Sequence, residues 1–171
     1  MEKTLVILKP DAVQRQIVGE IITRFERTGL RIVGCKMVLP DADHYHHHYE
    51  GISKMVSRRG EAAFKVTLDA MQEGPVIVMV LEGIEAVSLV RKLVGTTEPK
   101  EAAPGTIRGD YSHISFDYSH KVNSGIPNIV HASGDVAEAE QEIKHWFGDD
   151  ELFEYDTAHD RFTQVKTKRA K

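Results

Sequence analysis

One histidine carries most of the chemical interest of this sequence. His131 ends a short apolar run in IPNIVHASGD, residues 126–135, and the small residues Ala132, Ser133 and Gly134 follow it. Asp135 then opens an amphipathic helix with Val136, Ala139, Ile143, Trp146 and Phe147 on one face. Glu138, three residues after Asp135, completes a capping-box pattern. An imidazole placed there is held rigidly on the strand side and uncovered on the other. The first N–H groups of a helix lack partners and attract anions, so a rigid imidazole beside them suits phosphoryl chemistry. A lone histidine at a strand end is more often structural, so the rest of the chain must supply the phosphate site.

Cations stand where they could do so. Lys9 follows an apolar run and falls at a strand's C-terminal edge, Arg91 lies late on a helix, and Arg108 sits in GTIRGD, residues 105–110. Arginine forks match phosphate oxygens in pairs, and lysine is a compact charge. Gly105 and Gly109 flank Arg108 and are expected to let the backbone approach a ligand closely. No P-loop and no GxGxxG occurs, so a nucleotide site would have to be built from side chains. His44, His47 and His48 could share one helix face, but they lack a complete ligand set for a metal and read as a solvated face.

The elements that would position these groups follow from periodicity. Residues 4–8 and 76–81 are continuous apolar runs, expected as strands buried on both faces. Residues 31–39 read as a strand with Val33, Cys35, Met37 and Leu39 on one side, and residues 112–118 as another with Ile114, Phe116 and Tyr118 aligned. A helix begins at Val18 and is closed by Gly29; a second occupies residues 83–94 and is closed by Gly95. Residues 41–70 are polar and helical, with Ser57, Arg58, Arg59 and Gly60 as a basic turn. This order predicts one α+β domain over residues 1–171: a ferredoxin-like sandwich, a four-stranded antiparallel sheet with two crossover helices on one face, a helical insertion and an irregular C-terminal arm.

Composition narrows the classes. The chain has 171 residues, 41% hydrophobic and 28% charged, with a net charge of −4, which argues against binding nucleic acid or membranes through bulk charge. The basic residues Arg161, Lys166, Lys168, Arg169 and Lys171 make a tail that reads as a solvated terminus. Cys35 is the single cysteine, so no internal disulfide can form. With no signal-peptide pattern and no run long enough to span a bilayer, a cytoplasmic protein is expected.

Taken together, KPD at residues 9–11, GEII at 19–22, GPV at 74–76, PGTIRGD at 104–110, NIVHAS at 128–133, and Glu142-Ile143 with Trp146-Phe147 resemble nucleoside diphosphate kinase from about Thr4 to Tyr155. The resemblance implies ping-pong transfer of the terminal phosphoryl group of a nucleoside triphosphate to Nδ1 of His131, then to a nucleoside diphosphate. It implies that Glu142 holds the other ring nitrogen and that Ser133 stands beside both. Lys9 and Asn128 match residues contacting sugar hydroxyls and nearby phosphate, Arg91, Thr97 and Arg108 match the phosphate-binding set, and Tyr49 lines the pocket. Magnesium is implied as the cofactor, carried mainly by the nucleotide phosphates, and a homo-oligomer, in particular a hexamer packed around the loop of Pro99, is expected. The chain departs from the family in two places. An insertion precedes Phe64, which aligns with the second aromatic of the usual base clamp, and the segment between Asp110 and Asn128 is longer than usual. The rival reading is a non-catalytic nucleotide-binding or regulatory module on the same scaffold.

Overall fold

The computed structural model describes residues 1–163. Its centre is β1 (Glu2–Leu8), whose residues Leu5, Val6, Ile7 and Leu8 are fully buried. Burying each such side chain stabilises the fold by about 1.5–3 kcal/mol. β1 pairs antiparallel with β3 (Val76–Gly83) on one side and with the three-residue β4 (Val130–Ala132) on the other; β2 (Arg31–Val38) pairs with β3. The sheet order is therefore β2-β3-β1-β4.

The helices follow in chain order: α1 (Pro10–Gln14), α2 (Val18–Glu26), α3 (Ala42–His46), α4 (Met55–Arg59), α5 (Glu61–Met71), α6 (Ala86–Val94), α7 (Ile107–Tyr111), α8 (Phe116–Lys121), α9 (Val136–Trp146) and α10 (Asp160–Thr163). A π-helical turn, His47–Ile52, joins the insertion's first helix to the rest. The crossover helices α2 and α6 pack Ile21, Phe25, Val90 and Val94 against Val6, Leu8, Met79 and Leu81. The opposite face of the sheet carries Leu5, Ile7, Val78 and Val80, covered by Tyr45, Met71, Ile143 and Trp146 from α3, α5 and α9. The two faces thus separate odd from even positions of β1, as the two-residue period of a strand requires. After Phe147 the arm runs beside β2, with the Phe153 N–H donating to the Val33 carbonyl (2.8 Å) and the Tyr155 hydroxyl to that of Ile32 (2.9 Å). No helix among the described residues is long and apolar enough to cross a membrane.

The four-stranded antiparallel sheet and both crossover helices agree with the sequence expectation. Two strand expectations fail, and the basic turn read at residues 57–59 is helical, within α4. Residues 112–118 are not a strand: the Ser115 hydroxyl accepts from the Tyr118 N–H (3.2 Å) and starts α8, leaving Tyr118 exposed. Three alternating apolar residues were too few to outweigh a serine cap. In β2, a bulge between Ile32 and Gly34 reverses the face. Val33 is buried, but Cys35, Met37 and Leu39 point outward. Of the basic tail, residues 161–163 belong to α10 and residues 164–171 lie outside the described residues.

Candidate active site

β4 brings His131 beside β1, with Ile7 as its cross-strand partner. Its Nε2 lies 2.8 Å from Oε1 of Glu142, which α9 carries completely buried. The Ser133 hydroxyl donates to the other carboxylate oxygen (2.6 Å) and accepts from the Leu5 N–H (3.1 Å). The carboxylate is thereby tied to the central strand, and it fixes the imidazole tautomer: Nε2 carries the proton and Nδ1 holds a lone pair. Among the described residues no hydrogen-bond partner occupies Nδ1, and His131 lines a cleft of about 380 Å³.

Cations converge on this cleft. Arg108, on α7, is buried, and its guanidinium donates to three carbonyls: Asn128 (3.2 Å), Gly95 (3.0 Å) and Val130 (2.6 Å). Burial, helped by Arg91 and Arg59, lowers its pKa to about 10, so it stays charged at neutral pH. Lys9 caps α1 at the end of β1, and its Nζ donates to Oδ1 of Asn128 (2.7 Å). Burial first, then the nearby Arg108 and Arg59 charges, pull its ammonium down to about 8, with Asp11 opposing. The Asn128 amide donates in turn to the Thr97 carbonyl (2.9 Å). Arg91, from α6, reaches the Ser133 carbonyl (3.4 Å). Tyr49 is buried on the π-helical turn, where desolvation pushes its phenol upward, and its ring stands 6.1 Å from that of His131.

The chain between Asn128 and His131 is strained. Ile129 has φ +72°, a left-handed conformation that a β-branched residue rarely adopts. The Val130 N–H donates back to the Asn128 carbonyl (2.7 Å), closing a γ-turn around it. Asp11 accepts the Ile129 N–H (3.0 Å), and the Lys9 N–H donates to the Ile129 carbonyl (2.9 Å). Such a turn costs about 1–3 kcal/mol and persists only where its surroundings hold it. It lets Asn128 face Lys9 and Thr97 while His131, three residues on, stays in the sheet.

Lys9, Tyr49, Arg91, Thr97, Arg108, Asn128 and His131 thus border one cleft, with Glu142 and Ser133 directly behind it. Phe64 is the exception. It lies four and seven residues before Leu68 and Met71, follows their core-facing stripe on α5, and meets His46 edge-on at 5.3 Å. Met55, Thr67 and Ile126 line the cleft instead.

The capping box is also altered, for Glu138 accepts from the Gly134 N–H (2.7 Å) rather than from its own N-cap. Gly109 serves the fold and not a ligand, because a Cβ there would lie 2.2 Å from the Ala103 carbonyl oxygen. The histidine cluster is not simply solvated. Of its three members His47 is exposed and His44 half-buried, but His48 is fully buried, and its Nδ1 accepts from the Trp146 indole N–H (3.1 Å). Burial, with His131 and His145 close by, lowers its pKa well below the usual histidine value. Its Nε2 faces Glu142 at 3.7 Å, so donor atoms of His48, His131 and Glu142 gather within 4.8 Å. Two nitrogens and one carboxylate in a buried place do not suit magnesium, which wants oxygen ligands and keeps its waters.

A fixed nucleophilic imidazole facing several cations is the arrangement that phosphoryl transfer requires. The family model "Nucleoside diphosphate kinase" matches residues 2–152. The chain belongs to the nucleoside diphosphate kinase family. A nucleoside diphosphate kinase of Pyrococcus horikoshii is 48% identical over 161 residues, covering 94% of each chain. The structure also resembles a transition-state mimic of the Borrelia burgdorferi enzyme with bound vanadate and ADP, at TM-score 0.92 and 42% identity, covering 95% of this chain and 96% of that one. A halophilic nucleoside diphosphate kinase from Halobacterium salinarum in complex with CDP matches at TM-score 0.80 and 36% identity, covering 95% and 97%. This chain is therefore an enzyme of the kinase class with a nucleotide-binding, ferredoxin-like α+β domain. Asp11, Ile129 and His48 are the site residues that sequence reasoning missed. Asp11 stood within KPD, but nothing in the sequence signals a γ-turn at an isoleucine or a π-helical turn that buries one histidine of three.

Proposed function

We propose that His131 is the nucleophile of a ping-pong nucleoside diphosphate kinase reaction. The Nδ1 lone pair attacks the terminal phosphorus of a nucleoside triphosphate. The N–P bond forms as the bond to the bridging oxygen breaks, and the diphosphate leaves carrying the electron pair. The Nε2 proton stays in its bond to Glu142, whose carboxylate faces the positive charge that develops on the ring. A terminal oxygen of a second nucleoside diphosphate then attacks the phosphohistidine, and the imidazole is regenerated.

The observation that carries this reading is the 2.8 Å bond from Nε2 to a buried carboxylate, which leaves Nδ1 as the free nucleophilic atom in a cationic cleft. Lys9, Arg91 and Arg108 hold phosphate oxygens, and Asn128 joins Lys9 to the Thr97 loop. Magnesium, when bound, neutralises phosphate charge. The cleft wall suits an ion that rides on the nucleotide, for its carboxylate, Glu138, is already engaged by the Gly134 N–H and by Arg58 at 3.6 Å. The edge strand β2, with Met37 and Leu39 more than half exposed at its end, favours assembly into a homo-oligomer. The free Cys35 thiol fits a reducing compartment such as the cytoplasm.

The test is phosphoenzyme trapping. Protein is mixed with magnesium and ATP labelled on the terminal phosphate, without acceptor, and the label is chased with GDP. The expected product is an acid-labile, base-stable label that moves to GDP and is missing from His131→Ala. A label that survives this substitution, or none on a folded protein that binds nucleotide, overturns the mechanism.

A further inference from the structure

A buried histidine beside the nucleophile has one nitrogen unpaired. His48, on the π-helical turn, is fully buried, and its ring stands across that of His131, with centroids 4.6 Å apart and planes at 74°. Its Nδ1 accepts from the Trp146 indole N–H at 3.1 Å. An indole nitrogen only donates, so Nδ1 of His48 holds the lone pair and its ring proton sits on Nε2. That Nε2–H has no hydrogen-bond partner among the described residues, although it faces Oε1 of Glu142 at 3.7 Å. A buried donor left unpaired is destabilising, and a phenylalanine ring would fill this space without that penalty.

We propose that, in the His131 mechanism on which this role rests, His48 is a positioning residue: Trp146 fixes its tautomer, and its Nε2–H is a reserve donor that closes on Glu142 when His131 is phosphorylated.

The shape of the imidazole gives the reason. Nδ1 and Nε2 point to opposite sides of the ring, so whatever draws Nδ1 of His131 toward phosphorus draws its Nε2 away from Glu142. Reacting atoms stand about 3–3.5 Å apart before attack, and bonding closes that gap by on the order of 1 Å. The carboxylate cannot follow. It is buried on α9, and the Ser133 hydroxyl, which itself accepts the Leu5 N–H at 3.1 Å, donates to its Oε2 at 2.6 Å. The 2.8 Å bond from His131 to Oε1 therefore stretches. A carboxylate oxygen has two lone pairs, so Oε1 can take His48 as a second donor. A turn of the carboxylate by about 0.5–1 Å brings the 3.7 Å separation to ordinary hydrogen-bond length. Glu142 then keeps two full hydrogen bonds in the phosphoenzyme, from Ser133 and His48.

The role also requires a neutral His48, because a second cation would oppose the positive charge that develops on His131. Burial, with His131 and His145 close by, lowers its pKa well below the usual histidine value. The same tautomer leaves Nε2 of His48 no lone pair for a metal, so the close donor atoms of His48, His131 and Glu142 serve hydrogen bonding.

The experiment follows the equilibrium between free and phosphorylated protein. The full chain is mixed with magnesium, labelled ATP and ADP at fixed ratios and quenched, and Mg·ADP affinity is measured by calorimetry. His48→Phe keeps a ring and removes both nitrogens. It is expected to shift the equilibrium about tenfold toward the free enzyme, as loss of one hydrogen bond to a charged group implies, and to leave Mg·ADP affinity within about twofold. His48→Gln offers an N–H to Glu142 and an oxygen to Trp146, and is expected to recover most of that shift. A ring that matters only for packing would leave glutamine no better than phenylalanine. NMR of the parent protein reads the same contact without a substitution: the His48 Nε2–H resonance should move downfield on phosphorylation. An equilibrium unmoved by His48→Phe, glutamine no better than phenylalanine, or a resonance that stays in place overturns this role, and label on the parent protein leaves the His131 mechanism standing. No label on the parent protein overturns both.

Discussion

Replacing Glu142 tests the site at its most constrained point. The carboxylate accepts from His131 at 2.8 Å and from Ser133 at 2.6 Å, and it is fully buried. In Glu142→Gln one of the two oxygens becomes an NH2 donor. Two orientations compete. With NH2 toward His131, the ring must accept at Nε2, its proton moves to Nδ1, and the nucleophilic lone pair is lost. With NH2 toward Ser133, the ring tautomer survives, because the hydroxyl can turn its proton to the Leu5 carbonyl, 3.4 Å away. The second orientation satisfies every group and should prevail. What is then lost is charge: a hydrogen bond to a charged group contributes about 1.5–3 kcal/mol and a neutral one about 1 kcal/mol. The difference of about 1.4 kcal/mol corresponds to about a tenfold slower phosphorylation. Glu142→Ala removes both bonds and strands the ring, for about 3–4 kcal/mol, or a hundredfold to a thousandfold. Rapid-quench measurement of phosphoenzyme formation from labelled ATP reads both rates, with circular dichroism to verify the fold. Glutamine as damaging as alanine would mean that the tautomer flips and would refute the orientation argument. Alanine within threefold of the parent would refute the role of Glu142 altogether.

Four further outcomes are expected. Lys9 holds its proton only up to about pH 8, so Mg·ADP affinity should fall between pH 7 and 9, and Lys9→Arg should flatten that profile. For folding the sign is opposite. Between about 8 and the ordinary 10.5 the unfolded chain binds more protons at this residue, so its contribution to stability should rise with pH across that window and vanish in Lys9→Met, as read from denaturant midpoints. Asp11→Ala removes the acceptor of the Ile129 N–H (3.0 Å); it should lower stability by about 2 kcal/mol and, by releasing the γ-turn, slow phosphoenzyme formation more than tenfold. Gly109→Ala drives a Cβ to within 2.2 Å of a carbonyl oxygen, so the backbone must shift, and a thermal melt should report a loss of about 2–3 kcal/mol.

What the sequence determined by itself is local or repetitive. Continuous apolar runs in β1 and β3 could only be strands covered on both faces. The stripe in α2 and the glycines after α2 and α6 fixed two crossover helices, because a helix period and a left-handed closing residue are properties of neighbours in the chain. The chemical pattern was also legible: an imidazole before small residues, a glutamate one helix turn after another along α9, and cations at element edges. Single-chain periodicity misled where few residues carried it, as in the three apolar residues around α8, and where a bulge in β2 exchanged the two faces without changing the sequence alternation.

The tertiary structure decided what depends on residues far apart in the chain. Asp11 meets Ile129 across the end of the sheet, and only their meeting holds an isoleucine in a left-handed turn. Trp146 meets His48 across α9 and the π-helical turn, which turns one histidine of a polar-looking run into a buried neighbour of Glu142. Phe64 went to the core because the stripe it shares with Leu68 and Met71 faces the sheet. Arg59 came to the cleft because α4 and α8 fold toward each other, with its guanidinium 5.7 Å from the centroid of the Phe116 ring. Hydrogen bonds and charges act through space over a few ångströms, so these contacts are set by how the elements pack, which chain order does not record.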